Sequence, residues 1–419
     1  MRRDREGELF SDSLARHPNA VSYETLRALT KIFPGKSILE SEDGDFDVRA
    51  FGAAGSAAVE VSASPVGELV THWRGPRKGL GEHIEQAMLV VDWLQYRIFV
   101  IELSFINEWS QRTRFIVADT PAIARTFFQT VREWCHLPRR EVLVFREGCW
   151  SKSRELFEAI SRTTFDDLVL PPALKAEIQR DITQFLASRE SYERYRVPWK
   201  RGLLFVGPPG NGKTQCVKAA INLTKVPCLY VQSFTSSFWS EQRNIDRVFD
   251  RAREQTPCCL VLEDLDALVN DENRSFFLNQ LDGFEQNTGI LTVATTNHPE
   301  RLDPSIAERP SRFDRKYHFL LPAAAERATY VAYLNVRLAD GMRVTPSDEE
   351  TIVARTEKFS FAYLKELFVS SMVRWMAESG KVTMMDIVVE QIALLRSQMS
   401  DDVGPVRALH AGIEVDADE

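Results

Sequence analysis

The chain has 419 residues, 44% hydrophobic and 27% charged, with a formal net charge of −8. That length allows roughly two or three domains, and the composition can bury apolar cores, which excludes a disordered chain. The acidic balance argues against broad binding along a nucleic-acid backbone, which needs a basic face, though not against a local basic channel.

The first residues, Met1-Arg2-Arg3-Asp4-Arg5-Glu6, are charged and no apolar run follows them, so no signal peptide is expected. The most apolar region, residues 87–105, is broken by Asp92, Gln95, Arg97 and Glu102 and does not read as a membrane span. The cysteines Cys135, Cys149, Cys216, Cys228, Cys258 and Cys259 form no C-x-x-C pair. They read as reduced, packed thiols, and a cytoplasmic location is expected.

Residues 1–160 read as a separate N-terminal α+β domain for specificity or partner binding. Val21, Leu26, Leu29 and Ile32 give residues 19–32 a helical face. Short apolar runs at 57–61, 67–70, 96–101 and 113–117 read as antiparallel strands. Thr120-Pro121 starts a helix carrying Ile123, Phe127, Val131 and Trp134 on one face. A strand at 141–145 and a short helix at 153–160 complete the region. His17, His72, His83 and His136 lack metal-ligand spacing. Trp73, Trp93 and Trp109 suit a core better than a binding platform. No catalytic constellation emerges here.

Asp166-Asp167-Leu168-Val169-Leu170-Pro171-Pro172 marks a junction, and its diproline opens a helix at 173–188. Residues 161–322 then read as a nucleotide domain. Its centre is Gly207-Pro208-Pro209-Gly210-Asn211-Gly212-Lys213-Thr214, which fits the phosphate-binding pattern G-x-x-x-x-G-K-[ST]. The apolar run Leu203-Leu204-Phe205-Val206 precedes it and a helical run from Gln215 follows, the strand–loop–helix context a P-loop needs. Glycines let backbone N–H groups approach the phosphates of a nucleotide. Lys213 is expected at the β- and γ-phosphates and Thr214 on Mg²⁺.

Cys228-Leu229-Tyr230-Val231 reads as the next strand and residues 241–255 as a helix. Between them, Phe238 and Trp239 stand in a polar loop, where exposed aromatic side chains suggest binding. Cys259-Leu260-Val261-Leu262 then ends in Glu263-Asp264, acids at a strand tip beside the P-loop. One carboxylate can serve Mg²⁺ and the other can orient water. A strand at 290–294 ends in Thr295-Thr296-Asn297, whose amide could position water or the γ-phosphate. Arg309-Pro310-Ser311-Arg312-Phe313-Asp314-Arg315 supplies guanidinium groups suited to phosphate. Residues 323–399 have helical periodicity throughout and form a helical lid. An acidic tail, 400–419, follows.

From residue 166 to 399 the chain resembles the AAA ATPases. The P-loop, the carboxylate strand and the run from Ala294 to Arg315 stand in that family's order. The Glu263-Asp264 order and the run Thr295-Thr296-Asn297-His298-Pro299-Glu300-Arg301-Leu302-Asp303-Pro304 look like the Bcs-type subgroup, named for the mitochondrial translocase of the Rieske iron–sulfur protein. That translocase's membrane segment is not visible here, so its substrate and location are not carried over. The resemblance implies an α/β P-loop NTPase core, with a parallel sheet and helices on both faces, plus the lid.

It also implies roles. Glu263 would be the Mg²⁺-side acid, Asp264 the water-orienting acid and Asn297 the γ-phosphate sensor. Arg309 and Arg312 match arginine fingers, which act on a neighbouring subunit's nucleotide and contribute about 10³–10⁵ in rate in other P-loop enzymes. A homo-oligomeric ring follows, with six or seven subunits typical of such families. Phe238 and Trp239 would face the central pore, without the glycine that follows the aromatic in substrate-threading members. Aspartate is one methylene shorter than glutamate; turnover is expected, with a rate that this order leaves open. The implied function is ATP-driven remodelling or translocation of a protein substrate, a chaperone-like activity. The alternatives are a nucleotide-gated assembly module and a nucleic-acid-directed ATPase.

Overall fold

The computed structural model describes residue 9 and residues 17–42, 46–62, 68–73, 79–106, 110–282, 287–307, 312–378 and 382–401. Arg309, Trp109 and the acidic tail beyond residue 401 lie outside the described residues. The chain divides into two units, Met1–Pro138 and Arg139–Glu419.

The first unit contains α1 (Pro18–Ile32), β1 (Ser37–Ser41), α2 (Val48–Ala53), β2 (Ala58–Val61), β3 (Glu68–Trp73), β4 (Leu80–Trp93), β5 (Tyr96–Ile106), β6 (Ser110–Ala118) and α3 (Pro121–His136). The strands form an antiparallel sheet in the order β1-β6-β5-β4-β2, with β3 also on β4. Period-two alternation decides which face each side chain serves. Ile98, Val100, Ile116 and Ala118 pack with Phe127 and Val131 of α3. Phe99, Ile101, Phe115 and Val117 pack on the other face with Leu29 of α1 and Phe33. Thr120 caps α3 as expected, its Oγ1 accepting from Ile123 N. The apolar stretch at 87–105 is the β4–β5 hairpin, and no helix among the described residues is long and apolar enough to cross a membrane.

One charged pair lies inside this sheet. Glu102 stands opposite Arg114, with Nε donating to Oε1 at 3.0 Å and side chains only 11% and 5% exposed. Removing one partner of a buried pair strands the other in low dielectric. Glu102→Leu is therefore expected to destabilise the first unit by about 3 kcal/mol, read as a lower denaturant midpoint with an unchanged slope.

The second unit contains β7 (Val142–Arg146), β8 (Cys149–Ser153), α4 (Arg154–Ser161), α5 (Pro172–Ala187), α6 (Arg189–Tyr195), β9 (Arg201–Val206), α7 (Lys213–Thr224), β10 (Cys228–Val231), α8 (Glu241–Glu254), β11 (Cys258–Leu262), α9 (Leu265–Leu268), α10 (Arg274–Asp282), β12 (Ile290–Thr296), α11 (Pro304–Ala307) and β13 (Arg315–His318). The seven-stranded sheet has the order β13-β9-β12-β11-β10-β7-β8, parallel except for the β7–β8 hairpin. Both faces are covered, which explains the near-continuous apolar strands. Leu203 and Phe205 pack on the α5 and α7 side, while Leu204 and Val206 pack on the α8 and α10 side.

The boundary expected at residue 160 needs correction. Strand β7 hydrogen-bonds to β10, and Ile160 of α4 joins the core around α7. Residues 139–160 therefore belong to the P-loop unit, whose sheet they extend at one edge. A short apolar strand does not advertise its partner, and this one lies far away in the chain.

The lid consists of α12 (Ala324–Asn335), α13 (Pro346–Arg355), α14 (Phe361–Ala377) and α15 (Met384–Asp401), in the stretch expected to be helical. Its own core is built on Val331, Ile352, Phe359, Leu364 and Val388. No disulfide is formed among the described residues; five cysteines are buried and Cys149 is exposed. Burial pushes the Cys258 thiol up to about 12 and Cys259 well above its ordinary value, which removes thiolate reactivity at neutral pH.

Candidate functional site

Strand β9 delivers the P-loop at its C-terminal end, where ligands bind in open α/β sheets. The loop's glycines are required by geometry. Gly210 has φ +77°, and a Cβ there would meet Ala362 Cβ at 2.7 Å. Gly207 leaves no room either, since a Cβ would come within 2.1 Å of Phe319 O. Lys213 opens α7 and is 7% exposed. Its Nζ donates to Gly207 O at 2.5 Å and Pro208 O at 3.0 Å. Burial pulls the ammonium below its ordinary pKa, and the charges of Asp264, Asp266 and Glu263 act against that pull. Thr214 follows on the first turn, exposed.

The acids sit at the tip of β11. Residues 259, 261 and 263 share one face of that strand, and Tyr230 of β10 shares it too. Tyr230 OH accordingly donates to Glu263 Oε2 at 2.7 Å, while Glu263 Oε1 is buried without a hydrogen-bond partner. Burial and then this bond push the Tyr230 phenol above its ordinary value. Asp264 lies in the left-handed region at φ +51°. Its backbone N–H donates to Thr295 Oγ1 at 3.0 Å, and its Oδ1 accepts from Asn297 Nδ2 at 3.1 Å. Thr296 Oγ1 donates to Asp266 Oδ1 at 2.7 Å. The end of β12 thus holds the acids of β11 through side-chain bonds.

Of these groups, Gly210, Lys213, Thr214, Asp264, Thr295 and Asn297 line one cleft of about 740 Å³ together with the junction residues Asp167, Leu168, Val169 and Leu170. The lid forms its other wall through Tyr330, Tyr333, Phe361, Ala362 and Lys365. Ala362 N donates to Gly210 O at 3.1 Å, so the start of α14 touches the P-loop directly. Tyr330 and Tyr333 stack with centroids 5.8 Å apart and planes 11° apart, and the Arg337 guanidinium lies 3.4 Å from the Tyr333 centroid. Sequence reading missed Tyr230, Thr295, Thr296, Asp266 and the lid tyrosines as parts of the site. The i, i+3 spacing of Tyr330 and Tyr333 was the one available signal, since it puts both rings on one helical face.

The cleft fits a nucleotide phosphate and a cation on the chain's own evidence. The glycine cradle excludes side chains, and Glu263 Oε1 is a buried carboxylate oxygen with capacity to spare. Other expected residues lie elsewhere. Arg312 is turned inward: Nε donates to Asp282 Oδ2 at 2.6 Å, Nη1 donates to Ser305 O, and the side chain is 7% exposed. Of the loop aromatics, Trp239 is 40% exposed and Arg243 covers its ring at 3.9 Å, whereas Phe238 is 62% exposed.

Residues 203–321 match the sequence model of the ATPase family associated with various cellular activities (AAA). The chain is 35% identical over 226 residues to an ATP-dependent zinc metalloprotease FtsH of Acidothermus cellulolyticus, covering 49% of this chain and 33% of that protein. It is 33% identical over 240 residues to the protein of the same name from Acaryochloris marina, covering 52% and 35%. The chain thus spans about a third of the length of these curated relatives. A solved structure, the FIGL-1 AAA domain in complex with ADP, superposes with a TM-score of 0.45 at 22% identity over 57% of this chain and 88% of that one. Between residues 203 and 321, where the P-loop and the acids of β11 meet, this chain carries an AAA-type domain with the P-loop fold.

Proposed function

We propose that this protein couples ATP binding and hydrolysis to remodelling or translocation of a protein substrate, acting as a homo-oligomeric ring. The observation that carries the reading is the single cleft joining Lys213, Thr214, Asp264, Thr295 and Asn297 to a lid that touches the P-loop. A lid hydrogen-bonded to the phosphate loop suits a machine that converts nucleotide state into movement. Lys213 and the loop N–H groups would bind the phosphates. Thr214 and Glu263 would hold Mg²⁺, which supplies charge neutralisation at the phosphates when bound. Asp264, its carboxylate held by Asn297, would orient the attacking water.

Arg309 is the residue we assign to a neighbour's nucleotide. Arg312, anchored on Asp282, would position the segment that carries it. Phe238 is the better candidate to meet a client chain, because it is the more exposed of the two, 62% against 40% for Trp239. The Bcs-type affinity rests on the Glu263-Asp264 order and the run after Thr295. The zinc-protease chemistry in the relatives' name is not carried over, since this sequence contains no H-E-x-x-H. A nucleotide-gated assembly module with little turnover is the second reading. It is favoured by the engagement of Asp264 Oδ1 with Asn297.

Mixing two inactive variants tests the seam. Lys213→Ala subunits lack their own nucleotide but keep Arg309, and Arg309→Ala subunits do the reverse. Partial recovery of phosphate release on mixing is expected, and its absence in mixed, assembled samples would remove the shared-site reading. The lid stack gives a separate expectation. Base–aromatic stacking is worth about 1–3 kcal/mol on alanine substitution. Tyr333→Ala should raise KM for ATP about tenfold with kcat changed little, and an unchanged KM would show that the base does not meet this stack.

A further inference from the structure

A second hollow of about 240 Å³ lies behind the P-loop, between the last strand of the sheet and the lid. Leu170, Leu174, Phe319, Leu321 and Phe361 make its walls chiefly apolar. Two backbone hydrogen bonds near the P-loop border it. Phe319 N donates to Val206 O at 2.7 Å on the way into the lid, and Phe361 adjoins Ala362, whose N–H reaches Gly210 O. Leu170 and Phe361 also line the nucleotide cleft, so the two cavities share walls. Asn211 lines the hollow at 1% exposure. Its Nδ2 donates to Pro208 O at 3.3 Å, but its Oδ1 is buried without a partner. A buried acceptor left unmade is costly and uncommon in native structures.

We propose that this hollow is a regulatory site for a small, largely apolar molecule carrying one hydrogen-bond donor, which satisfies Asn211 and fixes the lid against the P-loop. The apolar walls supply affinity and the orphan oxygen supplies orientation, the usual division of labour in a ligand pocket. Because Leu170 and Phe361 serve both cavities, occupancy changes nucleotide affinity, and nucleotide changes occupancy by the same factor. The coupling rests on the ATP-cleft reading; the binding itself does not.

Benzamide is a suitable probe, with a ring for the walls and an N–H for Asn211 Oδ1. Benzoate matches its size, lacks the donor and carries a charge that Glu326 on the lining repels. Saturation-transfer NMR on the full chain is expected to show benzamide binding with Kd of about 1 mM, as befits so small a ligand, and benzoate binding much more weakly. Saturating benzamide should shift ADP affinity about threefold or more, and that shift should level off. Ala323→Phe plugs the hollow at the start of α12, and Leu174→Trp is the second plug should the first fail to fold. Either folded plug should abolish benzamide binding and, with it, the effect of added benzamide on ADP affinity.

Benzamide binding that survives both plugs overturns the proposal. So does displacement by ADP without limit, which would put the probe in the nucleotide cleft, or the absence of binding to wild type, which would leave a bound water as Asn211's partner. Loss of benzamide binding on self-association would give the hollow to a second copy of the chain, and the proposal would fail. A wild-type chain that takes benzamide but not ADP would instead refute the ATP reading.

Discussion

Lys213→Ala is expected to lower phosphate release by about 10³-fold or more, with nucleotide affinity falling alongside it. The ammonium is buried, bonded to Gly207 O and Pro208 O, and surrounded by the charges of Asp264, Asp266 and Glu263. A phosphate entering the loop would offer it a better partner than either carbonyl, because a charge-assisted bond is roughly twice as strong as one to a neutral group. The burial that lowers its pKa also strengthens its field at the phosphate. Alanine removes that charge and leaves two loop carbonyls without their donor. The far side of the sheet does not depend on Lys213, so circular dichroism should be unchanged. A folded Lys213→Ala protein that releases phosphate at even a tenth of the wild-type rate would mean that turnover occurs elsewhere in the chain.

Asp264→Asn should separate binding from chemistry. ATP affinity is expected to stay within a few-fold while kcat falls about 10²–10⁴-fold, the usual contribution of a positioned acid or base. Asparagine is the right replacement because it tolerates the left-handed backbone at this position better than other residues, so strain does not confuse the result. Asn297→Ala should lower kcat less, since it frees the Asp264 carboxylate without removing it. Glu263→Gln is the counter-test. It should raise the Mg²⁺ concentration needed for turnover, because Glu263 offers the buried orphan oxygen. Should Glu263→Gln abolish chemistry at saturating Mg²⁺ while Asp264→Asn leaves it intact, the roles of the two acids are reversed.

Local pattern carried most of the phosphate site. The glycines, Lys213 and the Glu263-Asp264 tip were legible because strand, loop and helix are contiguous in sequence and each residue's chemistry is specific. The lid helices were legible from their 3.6-residue period. Groups that come together through sheet register were harder to see. Tyr230 reaches Glu263 only because β10 and β11 run parallel with Tyr230 opposite Val261, a pairing that neither strand announces. Arg312 shows a different gap. Its residue type suits phosphate, yet Asp282, 30 residues earlier, holds it, and a guanidinium's preference for one carboxylate over another is decided by tertiary contact. In the edge hairpin β7–β8, strand β7 was recognised at 141–145 but placed with the N-terminal region, since an apolar run of five residues fits either sheet, and β8 was not anticipated.

That hairpin limits how the protein can be dissected. Val231 and its neighbours in β10 have their outer backbone groups occupied by Leu143, Val144 and Phe145. A recombinant fragment beginning at residue 161 would strip this cover and present a bare apolar edge, ready to recruit strands from other molecules. Clumping of such a fragment would be an artefact of where the gene was cut, easily mistaken for a property of the enzyme. A fragment starting at residue 139 keeps the edge closed.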